Sequence, residues 1–176
     1  MQRFKTTHKL AVIYNSFEAN SRLTVEQLRQ QESEFKFSLL EAPLVSGQKP
    51  TIEEIKKVMD QVISKDPDFL YIPSDSSVIE RAALIIEAAH ARNIPTISAT
   101  EDPIRNDGAV IGLVSNYYNA GSFAGYKAEK ILTGAEKIEN IPIETLQRFV
   151  LLVNMKSALQ LELYPPLDLI KIAEII

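Results

Sequence analysis

The sequence predicts a three-layer α/β/α domain around a parallel sheet, and three observations carry that expectation. Short apolar runs alternate with longer amphipathic ones along the chain, as in repeated β-α units. The first run, Leu10-Ala11-Val12-Ile13-Tyr14, is apolar throughout, which suits a strand covered on both faces. The chain has 176 residues, 45 % hydrophobic and 24 % charged, enough for one domain with a core and too few for two of full size.

The elements follow in order. After the first strand comes a polar break, Asn15 to Asn20, and a helix from about Ser21 to Ser33, with Asn20 or Ser21 suited to cap it. Phe35 to Leu40 reads as a second strand. Pro50-Thr51 opens a helix with Ile52, Ile55, Met59 and Val62 on one face, closed by Pro67. Phe69 to Ile72 is a third strand, and Pro73 to Ser77 leads into a helix reaching about Arg92. Ile94 to Ala99 gives a fourth strand, Thr100 to Pro103 a loop, and Ala109 to Val114 a fifth strand. A helix over Tyr117 to Leu132 ends at Gly134 and carries Ala120, Gly121, Ala124, Gly125 and Ala128 on one face. Arg148 to Val153 is a strand, followed by a short helix, Pro165-Pro166 and a last short helix. Gly134 to Pro142 is the best candidate for a boundary.

Composition excludes several functions. A net charge of −4 without clustered Lys and Arg argues against a nucleic-acid surface. No run of about eighteen apolar residues occurs, so no membrane-spanning helix is expected. Met1 to Lys9 shows no signal-peptide pattern. Without cysteine there is no disulfide, thiolate metal site or thiol catalysis.

Ligands of open parallel α/β sheets bind beyond the carboxyl ends of the strands. There the chain places Asn15 and Ser16 after the first strand and Ser74, Asp75, Ser76 and Ser77 after the third. Thr100, Glu101 and Asp102 follow the fourth, and Ser115 and Asn116 the fifth. Ser76 and Ser77 can offer hydroxyls and N–H groups to a carboxylate, while Asp75, Glu101 and Asp102 can face an ammonium. Together they suit a zwitterion such as an amino acid. The same residue types also cap helices, and that reading stands beside the first.

Catalytic readings find little support. His8 lies at the start of the first strand and His90 late in a helix; both read as surface residues. There is no G-x-G-x-x-G or phosphate loop, and no nucleophile elbow. Neither a metal nor a cofactor is expected. A phospho-receiver domain would need carboxylates after the first strand and a lysine after the fifth, and both are lacking. An enzyme acting through Glu101-Asp102 is the weakest alternative.

The runs Ala11-Val12-Ile13-Tyr14-Asn15-Ser16-Phe17-Glu18-Ala19-Asn20-Ser21 and Tyr71-Ile72-Pro73-Ser74-Asp75-Ser76-Ser77-Val78 carry a resemblance. So do Asn93 to Ala99, Asp107 to Val110, Tyr117 to Gly121 and Val150 to Ala158. The chain is similar, from Lys9 to Ile176, to the substrate-binding proteins of ABC transporters, in the branch that carries aromatic or other amino acids. It departs from the family pattern at Ser16-Phe17, at Ser76 and at Asn116.

The resemblance implies one lobe, the C-terminal one, of a periplasmic-binding-protein type I (Rossmann-like) fold. It implies ligand contacts at Ser16, Asn20 and Ser21, at Asp75, Ser76 and Ser77, and at Glu101 and Asp102. The implied partners are an amino-acid-like ligand and a membrane permease, in a periplasmic or extracellular, membrane-anchored protein. The preceding lobe, with its export signal or lipoprotein anchor, is expected to be absent from this chain. Residues 117–133 and 143–176 would then pack partly on that lobe, or the 117–132 helix would self-associate; the small-residue face also suits packing within this lobe. A ligand-sensing domain of a signalling protein is the other reading of the same fold.

Overall fold

The computed structural model describes residues 8–144, 146 and 148–176; the signal-peptide reading at Met1 to Thr7 lies outside them, as do Thr145 and Gln147. Seven strands form one sheet in the order β2-β1-β3-β4-β5-β6-β7. They are β1 (Lys9–Asn15), β2 (Ser38–Leu44), β3 (Phe69–Ile72), β4 (Thr96–Ser98), β5 (Ile111–Val114), β6 (Val150–Val153) and β7 (Ala173–Ile175). The helices are α1 (Ala19–Phe35), α2 (Ile52–Ile63), α3 (Ser76–Ile79), α4 (Ala82–His90), α5 (Glu101–Arg105), α6 (Tyr117–Leu132), α7 (Met155–Gln160) and α8 (Leu167–Ile170).

The period-2 alternation of β1 divides the core. Ala11 and Ile13 pack with Ile55, Met59 and Val62 of α2 and with Ile85, Ile86 and Ala89 of α4. Val12 and Tyr14 face the other way, against Val25 and Leu28 of α1. The latter face is completed by α7, whose Ala158 packs with Val110 and Ile111. Between α1 and α7 the sheet is thinly covered, and Leu113 remains 61 % exposed. Ile52, expected on the buried face of α2, is exposed.

The sheet is not wholly parallel. β6 runs antiparallel to β5, with Val114 opposite Val150. Residues 115–149 leave and return at the same edge, so no helix crosses the sheet and the returning strand must reverse direction. β7, parallel to β6, was not expected from the sequence pattern.

Local boundaries shift for identifiable reasons. Neither Asn20 nor Ser21 caps α1, because both side chains bond elsewhere; the N-cap is Glu18. α1 runs on through Phe35 and stops where Lys36 turns left-handed at φ 55°, which moves β2 to Ser38. α2 ends at Ile63, ahead of Pro67. The helix expected from Ser76 to Arg92 breaks at Arg81, which has left helical geometry. The loop expected at Thr100 to Pro103 is the start of α5. Gly134 ends α6 as expected, at φ 70°, its N–H donating to Ile131 O at 3.1 Å.

None of the residues of α6 is buried. Tyr118 is 81 % and Leu132 85 % exposed. A Cβ at Gly121 or Gly125 would meet nothing within 4 Å. Lys127 ties the helix to Pro142 O (2.6 Å) and Glu144 (2.9 Å), and Lys130 ties it to Glu136 (2.6 Å).

Candidate functional site

The chain runs from β1 out to β2 on one side and returns past β1 to β3 on the other. Strand order therefore reverses between β1 and β3, and their carboxyl ends open a crevice where ligands bind in this architecture. Two of the loops singled out by sequence meet there.

Asp75 is fully buried at this edge, at 0 % exposure. Its Oδ2 accepts from Asn15 N–H and Ser21 Oγ, both at 2.7 Å. Its Oδ1 accepts from Ser77 N–H (3.1 Å), Ser77 Oγ (2.8 Å) and Val78 N–H (3.0 Å). A buried carboxylate without a cation needs such a set of donors, since each charge-assisted bond offsets part of its lost hydration. Asp75, expected to face a ligand ammonium, has its oxygens turned to these donors: it caps α3 and clamps the β1 loop to the β3 loop. Ser21, likewise at 0 % exposure, serves the same clamp.

Asn15 extends the clamp. Its Nδ2 donates to Ser77 Oγ (2.9 Å) and to the carbonyls of Gly47 (3.0 Å) and Gln48 (3.2 Å). Its Oδ1 accepts from Phe17 N–H at 2.9 Å, which shapes the turn into α1.

Above this buried layer is a more open polar one. Asn20 is exposed and donates to Ser74 O at 2.5 Å. Ser76 is exposed. Ser77 is nearly buried, and Ser16, partly exposed, donates its hydroxyl to Leu44 O at 2.9 Å. Glu18, partly exposed, accepts from Ser76 N–H and Ser77 N–H, both at 3.3 Å, and its Oε1 lies 3.5 Å from Ser77 Oγ, whose proton is closer to Asp75. The N–H groups expected to be open to a ligand carboxylate are therefore held by the chain's own Glu18. Sequence reasoning passed over this residue, although it stands inside the run that carries the resemblance.

Glu101 and Asp102 stand apart. Glu101 pairs with Arg105 at 3.3 Å, and Asp102 accepts from Asn106 Nδ2 at 2.5 Å. Arg105 also pairs with Glu174 at 2.7 Å. Among the described residues no hydrogen bond or ion pair joins these two carboxylates to the Asp75 cluster. Burial, and then the neighbouring Asp102 carboxylate, raise the pKa of Asp107. Thr100 precedes α5 without capping it, and its buried Oγ1 lacks a hydrogen-bond partner. Asn116 caps α6 through Tyr118 N–H (2.8 Å) and Asn119 N–H (3.3 Å). Among the described residues no group of three or more His, Cys, Asp or Glu is arranged to hold a metal.

His90 is not the surface residue expected from sequence. It is half-buried, Nε2 lies 3.0 Å from Thr96 Oγ1, and burial lowers its pKa.

This architecture, with two polar loops joined at the strand reversal, is that of one α/β lobe. Residues 3–175 match the family of ABC transporter substrate binding proteins, and the chain belongs to that family. It is 26 % identical over 146 residues to a tyrosine-binding protein of Clostridioides difficile, covering 83 % of this chain and 40 % of that protein. Its fold matches the ligand-free, open structure of a substrate-binding protein with adhesive properties from Clostridium difficile. That match has a TM-score of 0.75 at 25 % identity, over 97 % of this chain and 54 % of the other. A structure from Streptococcus pneumoniae in complex with L-Trp shares the fold at TM-score 0.81 and 18 % identity, over 97 % of this chain and 57 % of that one. The chain thus spans about half the length of the solved structures and less of the curated relative.

Proposed function

We propose that this lobe forms one wall of a ligand cleft in the solute-binding component of an ABC importer. The ligand is a small zwitterion of the amino-acid class, aromatic by analogy with the tyrosine-binding relative, delivered to a membrane permease without chemical change. Such a component works outside the cytoplasmic membrane. The observation that carries the reading is the Asp75 clamp, which joins the two loops at the strand reversal into one preorganised polar rim.

In this reading Ser16, Asn20, Ser76 and Ser77 contact the ligand, while Asp75 and Ser21 position them. Glu101 and Asp102 lie further along the same edge and meet the ligand's outer part. We place residues 117–133 and the exposed parts of 143–176 against a second lobe or a second copy of this chain, as the exposure of Tyr118, Leu132 and Ile143 favours.

The test is an NMR titration of the ¹⁵N-labelled chain with tyrosine, tryptophan, leucine and glutamate at millimolar concentration. Saturable shifts at Ser16, Asn20 and Ser76 with one or more of them are expected. The absence of rim shifts with all four would overturn the amino-acid reading.

A further inference from the structure

Glu18 is the one carboxylate of the β1–β3 rim that is neither fully buried nor paired with a cation. Among the described residues no Lys, Arg or His lies within ion-pair distance of it. Arg22, one helical turn along and well placed to neutralise it, instead donates to Ser16 O at 2.7 Å. The bonds Glu18 accepts, at 3.3 Å, are long for a carboxylate and leave much of its acceptor capacity unused.

Below it Asp75 shares the same donors. Ser77 N–H lies 3.1 Å from Asp75 Oδ1 and 3.3 Å from Glu18 Oε1, and Ser77 Oγ lies 2.8 Å from the first and 3.5 Å from the second. Two carboxylates converge on one serine, the lower sealed from water and the upper partly exposed. An anion entering here meets their combined negative field; a cation relieves it.

Resting on the amino-acid reading above, we propose that Glu18 is the specificity-determining residue of this rim and pairs with the ammonium group of the ligand. The ligand carboxylate is then directed away from Ser76 and Ser77 N–H. This reverses the polarity that the loop sequence alone suggests, with N–H groups open to a ligand carboxylate and Asp75 facing its ammonium. The partner chemistry is a primary ammonium.

Three probes of one ring separate the charges: tyrosine, tyramine, which lacks the carboxylate, and 3-(4-hydroxyphenyl)propionate, which lacks the ammonium. In NMR titrations at neutral pH, the chain is expected to bind tyrosine and tyramine more tightly than the propionate. Glu18→Gln, close in shape but uncharged, is expected to weaken the two amines about tenfold or more and leave the propionate unchanged or tighter. Glu18→Asp keeps the charge and should keep the preference for tyramine over the propionate, which guards against a folding effect of the Gln variant.

Tyrosine and tyramine binding that Glu18→Gln leaves unchanged would overturn the role of Glu18 while sparing the amino-acid reading. Preference of the unaltered chain for the propionate would do the same. If none of the three moves the rim resonances of the unaltered chain, and the four amino acids above also fail, the amino-acid reading falls and this inference with it.

Discussion

Asn15 and Asp75 meet across the join between the first and third strands, the Asn15 N–H donating to Asp75 Oδ2 at 2.7 Å. The contact belongs to the fold and to the rim at once. It closes the carboxyl end of β1 against the loop after β3, and it sets Ser77 where Asn15 Nδ2 also reaches it.

Asp75→Asn should therefore act mainly on stability. An amide offers one acceptor oxygen, so donors on one side of residue 75 would face an NH₂ group. Left unsatisfied, buried donors cost about 1–3 kcal/mol each, and a total loss of about 3 kcal/mol is expected. Urea denaturation checks it; a midpoint equal to that of the unaltered chain would contradict the clamp. Ser21→Ala removes one donor and should cost about 1–2 kcal/mol.

Gly112 is expected to tolerate no side chain. A Cβ there would sit 2.1 Å from the Ser98 carbonyl oxygen and 2.6 Å from Ile104 Cδ1. Backbone of β4 cannot yield as a flexible side chain would, so Gly112→Ala should cost about 3 kcal/mol or more. In contrast, Gly121→Ala and Gly125→Ala lie in open helix and should raise stability by about 0.5–1 kcal/mol each where the transition includes α6. Thermal or urea melts of the three variants give the comparison.

His90 gives the lobe a pH dependence near neutrality. Burial holds its folded pKa below the unfolded value of about 6.5. As pH falls through that value the unfolded chain takes up a proton before the folded one does. Stability is then full above about pH 7, declines as pH drops through the unfolded pKa, and levels off below the folded pKa. His90→Gln should flatten this part of the profile, measured as urea midpoints between pH 5 and 8, while leaving the acid limb at lower pH in place.

Amide exchange should divide the chain sharply. Helices α2 and α4 bury Ile55, Met59, Ile85 and Ile86 and should exchange only with global unfolding. α6, with no buried residue, should exchange through local opening, orders of magnitude faster. Equal protection in α4 and α6 would contradict this.

Much of the fold is legible in the sequence because burial writes itself as pattern. β1 and β3 show as unbroken apolar runs, and α6 as a long stretch closed by Gly134. β7 escapes because three residues after a short helix carry no periodicity. The antiparallel turn of β6 escapes because strand direction depends on where residues 115–149 travel, which the apolar pattern of Val150 to Val153 does not record. At the site, the loops are legible and the roles are not. Asp75 and Glu18 are both carboxylates beside serines; only the depth of each separates a structural clamp from an open charge. Glu101 and Asp102 look like loop acids, yet Arg105 and Asn106 lie one helical turn on and bind them locally.

The pairing of Val114 with Val150 has an evolutionary consequence. Topologically, residues 115–149 are a hairpin loop grown long, and a hairpin loop can be lengthened, trimmed or exchanged without re-threading a strand. The surface of α6 can thus diverge between homologues independently of the loops around Asp75, so under the proposed function partner choice and ligand choice would be separately mutable.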